Sequence, residues 1–233
     1  MTFQYALFDL DGTISESAPG ITKSVQYALA ALGIDEPDRK KLESFVGPPL
    51  NVEFKRLYHF DDDTTEFAVN KYREYYTKNN AIFDCSMYPG TEEMLSACRN
   101  AGIRLAIASS KPQPFVIQIL ENYGILSYFD IVIGARMHEE KRSAGTDQKT
   151  MIVRHALERL KNLTDKGPVD DDEFKQSCAM VGDRSFDIIG AKENEVCAIG
   201  VTFGYGSEEE LLNAGADIIA HSMEELTKIL TNQ

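Results

Sequence analysis

The sequence predicts an α/β protein: a parallel sheet with helices on both faces, and a small all-helical domain inserted near its start. Three observations predict it. From about residue 86 onward, short and strongly apolar runs alternate with helical patterns, which is how a parallel sheet is buried between helices. Residues 15 to 84 instead show helical spacing almost throughout. Finally, three apolar runs end in polar groups: Asp9 and Asp11, Ser109 and Ser110, and Gly182 and Asp183. Parallel sheets bind ligands at the carboxyl ends of their strands, so these groups are expected to converge. The core domain is thus expected in residues 1-14 and 85-233, and the helical domain in residues 15-84.

Each element follows from local pattern. Phe3, Tyr5, Ala6, Leu7 and Phe8 read as a buried strand leading into Asp9-Leu10-Asp11-Gly12-Thr13. Ile21, Val25, Ala28, Leu29 and Leu32 recur at helical spacing until Gly33 stops the run. Leu42 and Phe45 mark a shorter helical piece, and Gly47-Pro48-Pro49 a turn. Leu50, Phe54, Leu57 and Tyr58 form a third stripe, Asp61-Asp62-Asp63 a polar connection, and Phe67, Tyr72, Tyr75 and Tyr76 a fourth stripe. After the turn Tyr88-Pro89-Gly90, a helix face of Met94, Leu95, Cys98 and Ala101 precedes the apolar run from Ile103 to Ala108. Phe115, Val116, Ile119, Leu120 and Tyr123 make the next helix, closed by Gly124, and Phe129 to Gly134 the next strand. Asp147 is expected to cap a helix carrying Ile152, Val153, Ala156, Leu157 and Leu160. Strands follow over Cys178 to Val181 and Val196 to Val201, with Ile188, Ile189 and Ala191 on a helix between them. Ser207 with Glu210 and Ser222 with Glu225 have capping-box spacing, and Ile218 and Ile219 sit in a last short strand. Arg136 to Gly145 and Asn162 to Lys175 read as loops, the second a solvated connection through Asp170-Asp171-Asp172.

Composition narrows the function classes. The chain has 233 residues and a formal net charge of −13, which disfavours nucleic acid and acidic membrane surfaces as partners. A small anionic substrate remains compatible, because a metal, lysines and backbone amides can reverse the potential inside one pocket. No apolar stretch approaches a membrane span, and the first residues lack a secretory pattern. Cys85, Cys98, Cys178 and Cys197 show no metal or redox spacing, so reduced thiols and a cytoplasmic location are expected. Both a monomer and a homodimer are compatible with the sequence.

Two acids at the end of a buried strand are costly without partners. A divalent metal and a nucleophilic role give a reason for them. Asp9-Leu10-Asp11-Gly12-Thr13 resembles the first motif of the haloacid-dehalogenase-like phosphohydrolase superfamily. Ser109 resembles the second motif, Lys149 the third, and Gly182-Asp183-Arg184-Ser185-Phe186-Asp187 the fourth, in the family order. The helical insert after the first motif is similar to the family's C1-type cap, on a Rossmann-like core. Residues 91 to 102, Ser109-Ser110-Lys111-Pro112 and Gly204-Tyr205-Gly206-Ser207 resemble the phosphoglycolate-phosphatase branch, part of which carries the name 5′-nucleotidase.

The resemblance implies a role for each residue. Asp9 is the nucleophile that accepts the phosphoryl group, and Asp11 the general acid and then base. Gly12 lets the backbone turn tightly beside the phosphate. Ser109, Ser110 and Lys111 are candidates for binding the phosphate, and Lys149 for neutralising charge in the transition state. Asp9, the Asp11 backbone carbonyl and Asp183 would hold one Mg²⁺, with Asp187 behind them, ordering a metal-bound water or fixing Lys149. Lys141 and Arg142 are rivals to Lys149, which is preferred because it opens a helix where the family lysine is expected. Lys23 and the Gly47-Pro48-Pro49 turn either face the substrate or are a surface lysine and a plain turn. Gly204 and Gly206 read as a turn, Tyr72, Tyr75 and Tyr76 as cap core. His59, His138, His155 and His221 show no metal spacing.

The implied activity is Mg²⁺-dependent hydrolysis of a small phosphomonoester through an aspartyl-phosphate, most like phosphoglycolate phosphatase. A 5′-nucleotidase and a sugar phosphomutase are the enzyme alternatives, and a phosphate-pocket sensor is the non-enzyme one. Asp11 argues against a dehalogenase, which has no leaving group to protonate. A phosphonate-cleaving relative would need a Schiff-base lysine from the cap, for which Lys23 is the candidate.

Overall fold

The computed structural model describes residues 2–136, 146–163 and 170–232. Strand β1 (Tyr5–Phe8) is followed by a two-residue strand β2 (Ser15–Glu16). Helices α1 (Ala18–Ala30), α2 (Arg39–Glu43), α3 (Leu50–Tyr58) and α4 (Asp62–Lys78) come next. The chain returns through β3 (Ser86–Met87) to α5 (Thr91–Asn100), β4 (Arg104–Pro112), α6 (Gln113–Asn122) and β5 (Ile131–Ala135). It ends with α7 (Thr146–Lys161), α8 (Asp171–Gln176), β6 (Cys178–Gly182), α9 (Ser185–Glu193), β7 (Cys197–Val201), α10 (Glu208–Asn213), β8 (Ile218–Ala220) and α11 (Met223–Thr231).

Six strands form one parallel sheet in the order β5-β4-β1-β6-β7-β8. This is the α/β architecture that the alternating texture predicts. Its strands read as continuous apolar runs because both faces are covered. The two-residue period is still present: Ala6, Phe8, Leu105, Ile107, Ala179 and Val181 enter one apolar cluster. Tyr5, Leu7, Ala106, Ala108, Cys178 and Met180 enter the other. Each large side chain buried this way contributes about 1.5–3 kcal/mol. With β1 central between β4 and β6, the groups at the carboxyl ends of these three strands emerge side by side.

The helical stretch leaves and re-enters the core through β2 and β3, which pair antiparallel at Ser15 with Met87 and Glu16 with Ser86. Helix α1 packs chiefly on α4, and Phe45 meets Phe54 at a centroid distance of 4.8 Å.

Several local expectations need correction. Asp61 is not a passive connector but caps α4, accepting from the Thr64 N–H at 2.8 Å, and Asp62 and Asp63 lie in its first turn. Carboxylates there meet the free amides and the positive end of the helix dipole. Phe67, placed on the apolar stripe by spacing, is 42% exposed. Asp170 likewise caps a helix, α8, accepting from the Asp172 and Glu173 amides. Helix α7 starts at Thr146, so Asp147 falls inside its first turn rather than ahead of it. The remainder of the two expected loops, residues 137–145 with Lys141 and Arg142 and residues 164–169, lies outside the described residues.

Candidate active site

Asp9 directly follows β1, and its amide donates to the Val181 carbonyl of β6 at 2.9 Å, so the edge of the sheet fixes its start. The chain then folds back: the amides of Thr13, Ile14 and Ser15 all donate to the Leu10 carbonyl. Gly12 sits at φ 88°, and a Cβ there would lie 2.1 Å from Asp183 Oδ2. Only glycine satisfies both demands.

Asp183, fully buried, follows β6 and accepts from the Tyr205 amide at 2.8 Å and the Thr13 hydroxyl at 3.4 Å. Gly204 also touches it, since a Cβ there would come within 2.4 Å of Asp183 Cβ. The Gly204-x-Gly206 segment is thus a bend, as expected, whose smallness makes room for Asp183.

Lys149 reaches the same place from α7. Its ammonium is 2.8 Å from Asp9 Oδ1 and 2.6 Å from Asp187 Oδ1, all three side chains being almost wholly buried. Asp187 is fixed on its other oxygen by the Arg184 amide at 3.0 Å. Asp9, Asp183 and Asp187 present carboxylate oxygens within 4.8 Å of one another. Burial pushes the Asp9 carboxyl up to about 6, against the pull of Lys149 and with the push of Asp187 and Asp11. Burial, then Asp187 and Asp9, hold Asp183 well above the usual carboxylate range. Burial alone would lower Lys149, but the Asp187 and Asp9 carboxylates hold it above its ordinary value.

Three buried acids facing one lysine are short of positive charge. That deficit is what a divalent cation relieves, and hard carboxylate oxygens suit Mg²⁺. The Asp11 carboxylate is not part of this cluster. Its Oδ2 pairs with Lys111 Nζ at 2.8 Å, and among the described residues its buried Oδ1 has no hydrogen-bond partner.

Ser109, on β4 beside Gly134 of β5, is buried, and its hydroxyl accepts from the Lys111 amide at 3.3 Å. Ser110 and Lys111 line a cavity of about 60 Å³ together with Asp11, the Gly47-Pro48-Pro49 turn and the rings of Tyr72 and Tyr76. The sequence offers Lys111 as a candidate for phosphate contact, and in the structure it pairs with Asp11. Lys111 also lies 5.2 Å from the Tyr76 ring centroid. Tyr76 is buried in the hydrophobic core, as the stripe predicts: it stacks on Tyr72 and meets Phe115 of α6 edge-on at 5.7 Å. The Gly47-Pro48-Pro49 turn does face the cavity. Lys23 does not: it is half exposed and paired with Asp84 at 2.8 Å. That hydrogen bond raises the Lys23 amine, opposite to what a Schiff-base lysine needs.

Known proteins resemble this chain over most of its length. The family model described as haloacid dehalogenase-like hydrolase matches residues 6–201. A 5′-nucleotidase of Pseudomonas aeruginosa is 38% identical over 88% of this chain and 85% of its own. The tyrosine-protein kinase PtkA of Mycobacterium tuberculosis is 30% identical over 97% and 72%. A phosphoglycolate phosphatase of Vibrio parahaemolyticus is 28% identical over 96% and 94%. The crystal structure of a predicted phosphatase from Clostridium acetobutylicum superposes with a TM-score of 0.86 at 39% identity, covering all of both chains. The chain belongs to the haloacid dehalogenase-like hydrolase family.

Proposed function

We propose that this protein is a Mg²⁺-dependent phosphatase that hydrolyses a small soluble phosphomonoester through an aspartyl-phosphate on Asp9. The observation that carries the reading is the buried Lys149 ammonium held between Asp9 and Asp187, with Asp183 alongside. Such a lysine neutralises an attacking carboxylate and the phosphoryl oxygens it approaches, where charge builds in the transition state.

Mg²⁺ held by Asp9, Asp183 and the Asp11 carbonyl would supply positive charge to the phosphoryl oxygens. Asp9 attacks phosphorus, and the bond to the leaving oxygen breaks. Asp11, entering this step as the neutral acid, gives that oxygen its proton, and among the described residues its Oδ1 has no hydrogen-bond partner. It then takes a proton from the water that attacks the aspartyl-phosphate, and inorganic phosphate leaves. Ser109 and backbone amides beside it would hold the phosphoryl oxygens, with Ser110 and Lys111 at the cavity wall. Residues 15-84 would act as a cap that closes on residues 1-14 and 85-233 and keeps bulk water out.

Phosphoglycolate is the substrate class the motif resemblance favours. Nucleoside monophosphates are the second reading, supported by the 38% identical 5′-nucleotidase. The test is phosphate release from a monoester panel containing both, with and without Mg²⁺. Mg²⁺-dependent release is expected. Isomerised sugar phosphate from a hexose 1-phosphate would instead mark a mutase, and no release from any monoester would mark a phosphate-pocket sensor.

A further inference from the structure

The Ser207 to Glu210 spacing predicts a reciprocal capping box, and only half of it forms. Ser207 Oγ accepts from the Glu210 amide at 3.1 Å. The Glu210 carboxylate does not return to Ser207. Its Oε1 accepts instead from the Ser185 amide at 2.8 Å and from Arg184 Nε at 3.0 Å. The guanidinium so oriented sends its Nη1 across to the helical segment, where it donates to the Val46 carbonyl at 3.1 Å. The contact is close-fitting, because Gly47 stands at φ 97° and a Cβ there would lie 3.3 Å from Arg184 Cγ. Arg184 is 17% exposed and directly follows Asp183.

We propose that Arg184 is a positioning residue: it holds the Gly47-Pro48-Pro49 turn at the cavity that Asp11 lines and so sets one wall of that substrate cavity. Two prolines stiffen that turn by fixing their φ angles, so anchoring the Val46 carbonyl places the turn as a unit. The anchor is built for direction. Arg184 uses two different nitrogens toward two acceptors, a geometry its planar fork provides and a lysine ammonium lacks. Its backbone amide simultaneously holds Asp187, so one residue ties the Lys149 partner to the cavity wall. The kinetic part of this inference rests on the phosphatase reading, and the structural part does not.

The test compares Arg184→Ala, Arg184→Lys and Glu210→Gln by amide hydrogen exchange and steady-state kinetics. In Arg184→Ala, amides across residues 44–50 should exchange about tenfold faster while those of β6 stay as in the wild type. KM for the best monoester should rise about tenfold, with kcat changed less. Arg184→Lys should recover part of both effects. Glu210→Gln, which keeps the arginine but loosens its orientation, should show a smaller version and serves if Arg184→Ala does not fold. Wild-type exchange over residues 44–50 in both Arg184→Ala and Glu210→Gln would overturn the anchor. Faster exchange with unchanged KM would overturn its role at the cavity wall. A wild-type protein that hydrolyses no monoester would sink the phosphatase reading, and the exchange data would still decide the anchor.

Discussion

Lys111 Nζ lies 2.8 Å from Asp11 Oδ2, with both side chains almost wholly buried. Among the described residues Asp11 Oδ1 has no hydrogen-bond partner. On the proposed mechanism it is the oxygen that carries the transferred proton. Asp11→Asn should therefore cut turnover of alkyl monoesters by about 10²- to 10⁴-fold. p-Nitrophenyl phosphate, whose leaving group needs no proton, should still phosphorylate Asp9. A burst of nitrophenol equal to the enzyme concentration, followed by a slow steady rate, is the expected trace. An unchanged steady rate on alkyl monoesters would remove Asp11 from the mechanism.

Lys149 is the sole lysine shown contacting Asp9 and Asp187 among the described residues. Lys149→Met leaves those buried carboxylates without their cation, a loss of about 3–5 kcal/mol by comparison with other broken buried pairs. Thermal unfolding without metal should show this as a large drop in Tm. Mg²⁺ added to the variant should restore part of the drop, because it supplies charge at the same place. A variant as stable as the wild type without metal would contradict the charge deficit described for this cluster.

How much of this was legible in the chain differs by residue. Asp9 and Asp183 stand out in the chain because each follows an apolar run at a strand end, where a polar residue is conspicuous, whereas Lys149 stands out only through the motif resemblance. The six-stranded sheet was legible for the same reason, through its apolar runs. The β2–β3 ribbon was not, since two residues per strand carry no period. Phe67 was misplaced because helical spacing cannot separate the edge of a stripe from its centre. The Lys111 to Asp11 pair and the Arg184 to Val46 bond span 100 and 138 residues, and no local pattern encodes which long side chain crosses to which element. Glu210 was read as a local cap because the spacing fits one. In the fold, two donors outside its own helix take its carboxylate.

Gly12 is a backbone position of the site that combines a positive φ with close approach to Asp183. Gly12→Ala would need both a positive φ and a Cβ inside Asp183 Oδ2, so Asp183 must move. The expected result is loss of the Mg²⁺-induced rise in Tm, together with a stability loss of about 1–3 kcal/mol from the strained backbone. A normal Mg²⁺ titration monitored by Tm would show that Asp183 tolerates displacement, contrary to this expectation.

Glu210 gives a pH signature away from the metal cluster. Its burial favours the protonated acid, but the Ser185 amide and the Arg184 guanidinium outweigh this and hold the carboxyl below its ordinary value of 4.5. A carboxyl lowered in the folded state adds stability that is fully present above its unfolded pKa. That stability is lost as pH falls from there through the depressed folded value. Glu210→Gln should therefore be less stable than the wild type at pH 7, by about 1–3 kcal/mol for hydrogen bonds to a charged group. The gap should narrow as pH falls below about 4.5, where the unfolded chain's Glu210 carboxyl takes up a proton while the folded one still resists it. Urea unfolding of both proteins at pH 7 and at pH 3.5 measures the difference directly. A gap that is constant across this range would mean that Glu210 stabilises the fold by packing, and that its charge does not hold Arg184.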